Sequence, residues 1–222
     1  MVRSRVGVAL LLLFAALALW ACSGLPRFVV RDEPWRAEEE RACLASGAVR
    51  EAPPFLTLRS QLGGPSACGA LKPFKVAATA RGAVVLEPPA LLRCPMVHAL
   101  EYWMQQVVMP AARTHLRSNV VGLKVIGSYS CRPMNNVDGG LLSEHGHANA
   151  IDVSGFVLQN GSSVTLKGGW WGTLAERNFL RAVHRGACGI FTTVLGPDYD
   201  RLHHDHFHLD LARHAGDARI CK

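Results

Sequence analysis

Proline-rich repeats are absent from this 222-residue chain, as are internal repeats and low-complexity segments. That excludes a repetitive structural wall protein. Cys-x-x-Cys pairs are also missing, which argues against a thiolate zinc site or a dithiol redox motif. Lys and Arg are scattered, with no dense basic block, so specific nucleic-acid recognition has no footprint. No uncharged apolar run reaches the ~20 residues of a comfortable membrane span. Charged residues are sparse at 18%, against 49% apolar. That balance builds a globular core rather than a disordered chain.

What is present begins with an export segment. Arg3 and Arg5 precede the uncharged run Val6–Ala21, whose 16 residues suit a signal-peptide core. Leu19-Trp20-Ala21-Cys22 resembles a bacterial lipoprotein processing site, which makes Cys22 a candidate for lipidation. Ordinary cleavage and retention as an uncleaved membrane anchor are the alternatives. All three place the rest of the chain outside the cytoplasmic membrane, in the periplasm or cell envelope. Residues 1–22 are then signal or anchor, 23–34 a polar tether, and 35–222 one domain. The net charge of +7 suits an anionic wall. Setting Cys22 aside leaves Cys43, Cys68, Cys94, Cys131, Cys188 and Cys221. In an oxidising compartment this even number predicts three disulfides, in a pairing that sequence leaves open.

The patterning predicts an α+β domain: a small antiparallel sheet with helices packed on one side. Helices are expected over Trp35–Leu44, Pro95–Leu116 and Thr173–Cys188. Pro110 should kink or split the second, and Thr173 with Glu176 should form a capping box on the third. Strands are expected in a hairpin over Phe74–Leu86 and over Val120–Ser128, Ala150–Leu158, Ser163–Lys167, Phe191–Leu195 and His206–Leu211. Asn160-Gly161 marks a hairpin turn. Glu87-Pro88-Pro89 should break the chain, and Glu51–Gly69 should be irregular. His98, His115 and His184 fall in helices and read as structural or exposed, and Trp170-Trp171 as an aromatic pair in a loop.

The chemistry concentrates in two stretches. Ser143–Asp152, SEHGHANAID, holds His145 and Asp152 seven residues apart. That gap suits a loop entering a strand, with Ala150 leaving room beside Asp152 on one face. The second stretch is His203, His204, Asp205, His206, Phe207 and His208. On a strand His206 and His208 share a face, so one can hold a metal while the other reaches its water. A catalytic Zn²⁺ site needs three protein ligands and one open position. His147 and His204 read as surface or supporting groups, and Glu144 as a supporting acceptor or a solvated side chain.

Ser143-x-His145-x-x-Ala148-x-Ala150-x-Asp152 resembles the S-x-H-x-x-G-x-A-x-D signature of the zinc peptidases grouped with lysostaphin, D-alanyl-D-alanine carboxypeptidase and sonic hedgehog. Ala148 departs from the glycine of that pattern. His203-x-x-His206-x-His208 is similar to the tail motif of the penicillin-insensitive murein endopeptidases. SYSCR, SEH…NAID, GAC…VLGPD and HxDHFHLD together resemble the bacterial extensin-like C-terminal family, over roughly Cys43–Cys221. The resemblance implies a hedgehog/peptidase-like fold with His145, Asp152 and His208 as zinc ligands. It implies His206 beside the metal's water and Arg132 facing a substrate carbonyl or carboxylate, a task suited to a permanently charged guanidinium. Asp205 is the alternative general base, and strand alternation favours His206. His203 is a candidate substrate contact. The expected function is an exported zinc metallopeptidase, carboxypeptidase or endopeptidase, acting on peptidoglycan or another cell-wall peptide. The alternative is a non-catalytic zinc domain that binds the wall or a protein partner.

Overall fold

In the computed structural model, which describes residues 28–63 and 67–222, nine strands form one sheet. They are β1 (Leu56–Leu58), β2 (Phe74–Thr79), β3 (Val84–Leu92), β4 (Val120–Gly127), β5 (Ala150–Leu158), β6 (Ser163–Thr165), β7 (Thr193–Leu195), β8 (Phe207–Asp210) and β9 (Ile220–Cys221). Their order is β1-β2-β3-β4-β5-β8-β7-β9. β8 and β6 share one edge of β5, the first along Ala150–Val153 and the second along Gly155–Val157. The predicted export segment and Cys22 lie outside the described residues.

The sheet is larger and more mixed than the small antiparallel one expected. β3 and β4 run parallel, as do β7 and β9. Parallel neighbours need a crossover, and the helices between Cys94 and Leu116 provide the one from β3 to β4. β3 also continues through Pro88 and Pro89, where a break was expected. Its pairing with β2 jumps from Val76↔Ala90 to Ala78↔Val85, and its pairing with β4 ends at Glu87. The prolines thus sit in the unpaired stretch, where a missing N–H costs no ladder bond. The described residues between 51 and 69 are irregular apart from β1 and isolated bridges.

The helices are α1 (Trp35–Ser46), α2 (Cys94–Trp103), α3 (Met109–Leu116), α4 (Leu166–Gly169) and α5 (Leu174–Cys188). Pro110 falls in the first turn of α3, and a wider π turn over Met104–Val108 joins α2 to α3. That turn accommodates the carbonyl that Pro110 cannot bond. β6 stops at Thr165 because the Thr165 hydroxyl accepts from Gly168 N–H and starts α4, so the strand expected to reach Lys167 is shorter. The capping box on α5 forms as expected, with Glu176 accepting from Thr173 N–H at 2.9 Å.

Alternation divides the central strands into two faces. Ile151, Val153 and Phe156 of β5, with Phe207 and Leu209 of β8, join one core with Met96, Leu100 and Trp103 of α2 and Phe179, Leu180 and Val183 of α5. Phe156 packs edge-on against Phe179 at 5.0 Å, and Trp103 Nε1 donates to Val183 O at 3.0 Å. Asp152, His208 and Asp210 alternate with these residues and so leave the hydrophobic face. Three disulfides staple the frame, matching the expected number. Cys43–Cys94 joins α1 to α2, Cys68–Cys131 ties two loops, and Cys188–Cys221 joins α5 to β9. Replacing both Cys43 and Cys94 by alanine is expected to lower the unfolding free energy by about 2–5 kcal/mol, read as a shifted midpoint in urea denaturation.

Candidate metal centre

Register brings the first two donors together. Asp152 stands directly opposite His208 across β5 and β8, and opposed residues of an antiparallel pair face the same side. Asp152 Oδ1 lies 3.0 Å from His208 Nδ1. The third donor comes from a 3₁₀ turn over Glu144–His147, started by the Ser143 hydroxyl accepting from His145 N–H. The turn ends at Ala148 in the left-handed region, φ 50°. A non-glycine residue there costs roughly 1 kcal/mol. The bend is held by Ala148 N–H on His145 O, and Ala148 O accepts from Arg93 N–H. It directs buried His145 inward, with Nε2 3.1 Å from Asp152 Oδ2 and 3.3 Å from His208 Nδ1.

The two ring nitrogens lie 3.3 Å apart, and each faces its own oxygen of Asp152, at 3.1 Å from His145 and 3.0 Å from His208. Tetrahedral zinc with bonds of ~2.0–2.1 Å has donor–donor edges of about 3.3 Å. Two imidazoles and one carboxylate are also a chemically suitable donor set. His145, Asp152 and His208 therefore fit three positions around such an ion. A second cluster, His184, Cys188 and Cys221, has both sulfurs committed to a disulfide.

Three supporting residues escaped the sequence reading. Ser128 O accepts from His145 Nδ1, and buried Asp210 takes His208 Nε2 at 2.8 Å. Each fixes a ring so that its other nitrogen faces Asp152, the arrangement that orients metal-binding histidines. Asp210 was visible as the next residue on the His208 face in FHLD. Gly127 lies opposite Asp152, and a Cβ there would stand 2.4 Å from Asp152 Oδ2. The room beside Asp152 comes from this glycine as well as from Ala150; a glycine inside a strand marks such close approach. Glu144 is a clamp: it accepts from both Arg36 Nη atoms at 2.7 and 2.6 Å, and from Asn149 Nδ2.

Electrostatics follow from this packing. Burial works against the Asp152 carboxylate, but hydrogen bonds from His145 and His208 hold it well below the usual carboxylate range. Burial also opposes charge on His208, yet Asp152 and Asp210 push it up to about 10. Asp210 is held low by His208 despite its burial. His147 is pushed down to about 4 by burial and by Arg36. His203 is lowered by burial, against the pull of Asp200.

The trio opens into a cleft of about 500 Å³, also lined by Arg132, His203 and His206. His206 Nε2 is 3.8 Å from Asp152 Oδ1, and its Nδ1 is 3.0 Å from Asp205 Oδ1. Asp205 stands behind His206 and does not line the cleft. His203 Nδ1 is held by Asp200 at 2.7 Å, with its ring 5.3 Å from that of His206. Arg132 pairs with no carboxylate among the described residues, and the adjacent Cys131 is bridged to Cys68. His147 also borders the cleft, half-buried, whereas His204 is exposed. Trp170 is buried, with Nε1 on Asp198, and Trp171 is 69% exposed. His98 is exposed, and His184 packs against Phe207.

Fold and site define a disulfide-stapled α/β domain with a largely buried His–Asp–His trio in a polar cleft. The chain belongs to the extensin-like family: the family described as Extensin-like protein C-terminus matches residues 41–222. No curated protein and no solved structure matches it.

The raised pKa of His208 sets a pH dependence for the metal-free protein. Its contribution to stability is complete below 6.5 and is lost as pH rises through about 10. The depressed pKa of Asp152 acts oppositely: its contribution is present above 3.8 and is lost in acid. In chelator, unfolding free energies from denaturant titrations should therefore fall between pH 6.5 and 10. Asp210→Asn should flatten that fall.

Proposed function

We propose that this protein is an exported zinc metallopeptidase-like hydrolase of cell-wall peptidoglycan, with a hedgehog/D-alanyl-D-alanine-peptidase-like fold. The observation that carries the reading is the donor cluster of His145, Asp152 and His208, open to a cleft that also holds His206 and Arg132. Zinc held by these three side chains would supply Lewis acidity and a water of lowered pKa. The remaining work belongs to the chain. His206 presents Nε2 toward Asp152 while Asp205 holds its Nδ1. This geometry supports a role for His206 in taking a proton at Nε2 and returning it to a leaving amine. The location of Asp205 favours His206 over Asp205 as the base.

Arg132 supplies a cation for a carbonyl oxygen or a terminal carboxylate, and its fork geometry suits a two-point contact. His203 is held by Asp200 at the same cleft, which supports a role in substrate contact. The export segment and the net charge of +7 support an anionic substrate outside the cytoplasm.

A zinc titration followed by incubation with cross-linked muropeptides tests this. Tight zinc binding with shortened or uncrosslinked products is expected by mass spectrometry. His206→Ala should lower kcat by roughly 10²–10⁴ while zinc affinity stays unchanged. Asp210→Asn should weaken zinc affinity by about 10–100-fold. Tight zinc binding without cleavage of any muropeptide would leave the non-catalytic binding domain as the function.

A further inference from the structure

The segment before α1, which reads as a tether in sequence, forms part of the cleft. Val29 N–H donates to Gly140 O at 2.8 Å, and Leu142 N–H donates to Val29 O at 2.9 Å. Val29 thereby bridges the loop beyond Arg132 as a short parallel strand would. Four residues later Glu33 accepts from Arg36 Nε at 2.8 Å. Arg36 in turn grips Glu144, beside His145. The segment is thus pinned to the Arg132 loop at one end and to the His145 turn at the other. Between these pins Val29, Arg31 and Glu33 line the same cleft as the trio.

The charges on this wall are unequal. Glu33 is matched by Arg36. Arg31 and Arg132 pair with no carboxylate among the described residues. The cleft therefore carries two available guanidinium groups, one from this strap and one from the Arg132 turn. Val29, Met134 and Leu142 add apolar surface to the same lining. Guanidinium binds carboxylate with two parallel hydrogen bonds, and apolar surface between such groups suits the carbon skeleton of an extended peptide.

We infer that residues 28–33 are a fixed wall of the substrate cleft, and that Arg31 on that wall recognises a carboxylate of a bound peptide. The peptide half rests on the peptidase reading; the wall half rests on the hydrogen bonds alone.

The test uses the full-length, zinc-loaded chain and two probes: a short peptide with one free side-chain carboxylate, and the same peptide with that group amidated. The wild type should bind the acid about 10-fold more tightly, the range of one charged hydrogen bond. Arg31→Glu should abolish this preference and leave zinc affinity unchanged. Val29→Pro, which removes the N–H donor, should weaken both peptides and speed hydrogen exchange at Leu142 N–H. A retained preference in Arg31→Glu overturns the recognition role. Equal Leu142 exchange in wild type and Val29→Pro, with unchanged peptide binding, overturns the wall. If the wild type holds zinc but binds neither probe, the peptide half falls with the peptidase reading. Slow Leu142 exchange in the wild type that Val29→Pro accelerates would still uphold the wall.

Discussion

The Asp152 carboxylate meets two imidazoles at once, and most of the architecture serves that contact. A buried carboxylate without partners is expensive, so Asp152 is tolerable only where His145 and His208 both reach it. His208 arrives by strand register, and a slip of one residue between β5 and β8 would send it into the hydrophobic core. Phe207 and Leu209, anchored among the helices, prevent the slip. The apolar face therefore acts on the polar one: packing against α2 and α5 fixes the position of a ring on the opposite side of the sheet.

His145 needs a different kind of restraint, because it comes from a turn rather than a ladder. Ser128 O holds one ring nitrogen, and Glu144 ties the turn to Arg36 on α1. α1 is itself stapled to α2 by Cys43–Cys94. A chain of covalent and ionic links thus runs from the core helices to the turn. Removing one partner of such a half-buried pair leaves the other charge poorly compensated, so these supports act together rather than as separate contributions.

The long α5 helix, the β5 strand and the clustering of His145, Asp152 and His208 were legible in the sequence. The helix and the strand are written in local periodicity and alternation, and His145 with Asp152 in their spacing, whereas the choice of His208 as their companion came from the family resemblance. The partners of the trio were less legible, for physical reasons. Asp210 is two residues from His208, but its role depends on a carboxylate being buried beside a ring. Gly127 acquires meaning only when β4 is laid opposite Asp152. Pro88 and Pro89 remain within a strand because β2 skips past them, which no single-strand pattern encodes. Residues 29–33 carry no periodic signal at all, and only their hydrogen bonds to a distant loop reveal where they lie.

The cleft draws on residues from Val29 to Ile220. Synthesis and folding of such a chain proceed with the N-terminal region first. A chain still emerging can form β2 to β5 and bury His145 and Asp152, yet it lacks a third donor until residue 208 has been made. β8 must then insert between β5 and the already synthesised β7, and β9 pairs last on the far side of β7. Competence is thus coupled to completion. A truncated or stalled chain carries two of the three donors, and the assembled centre appears only once residues up to β8 are in place.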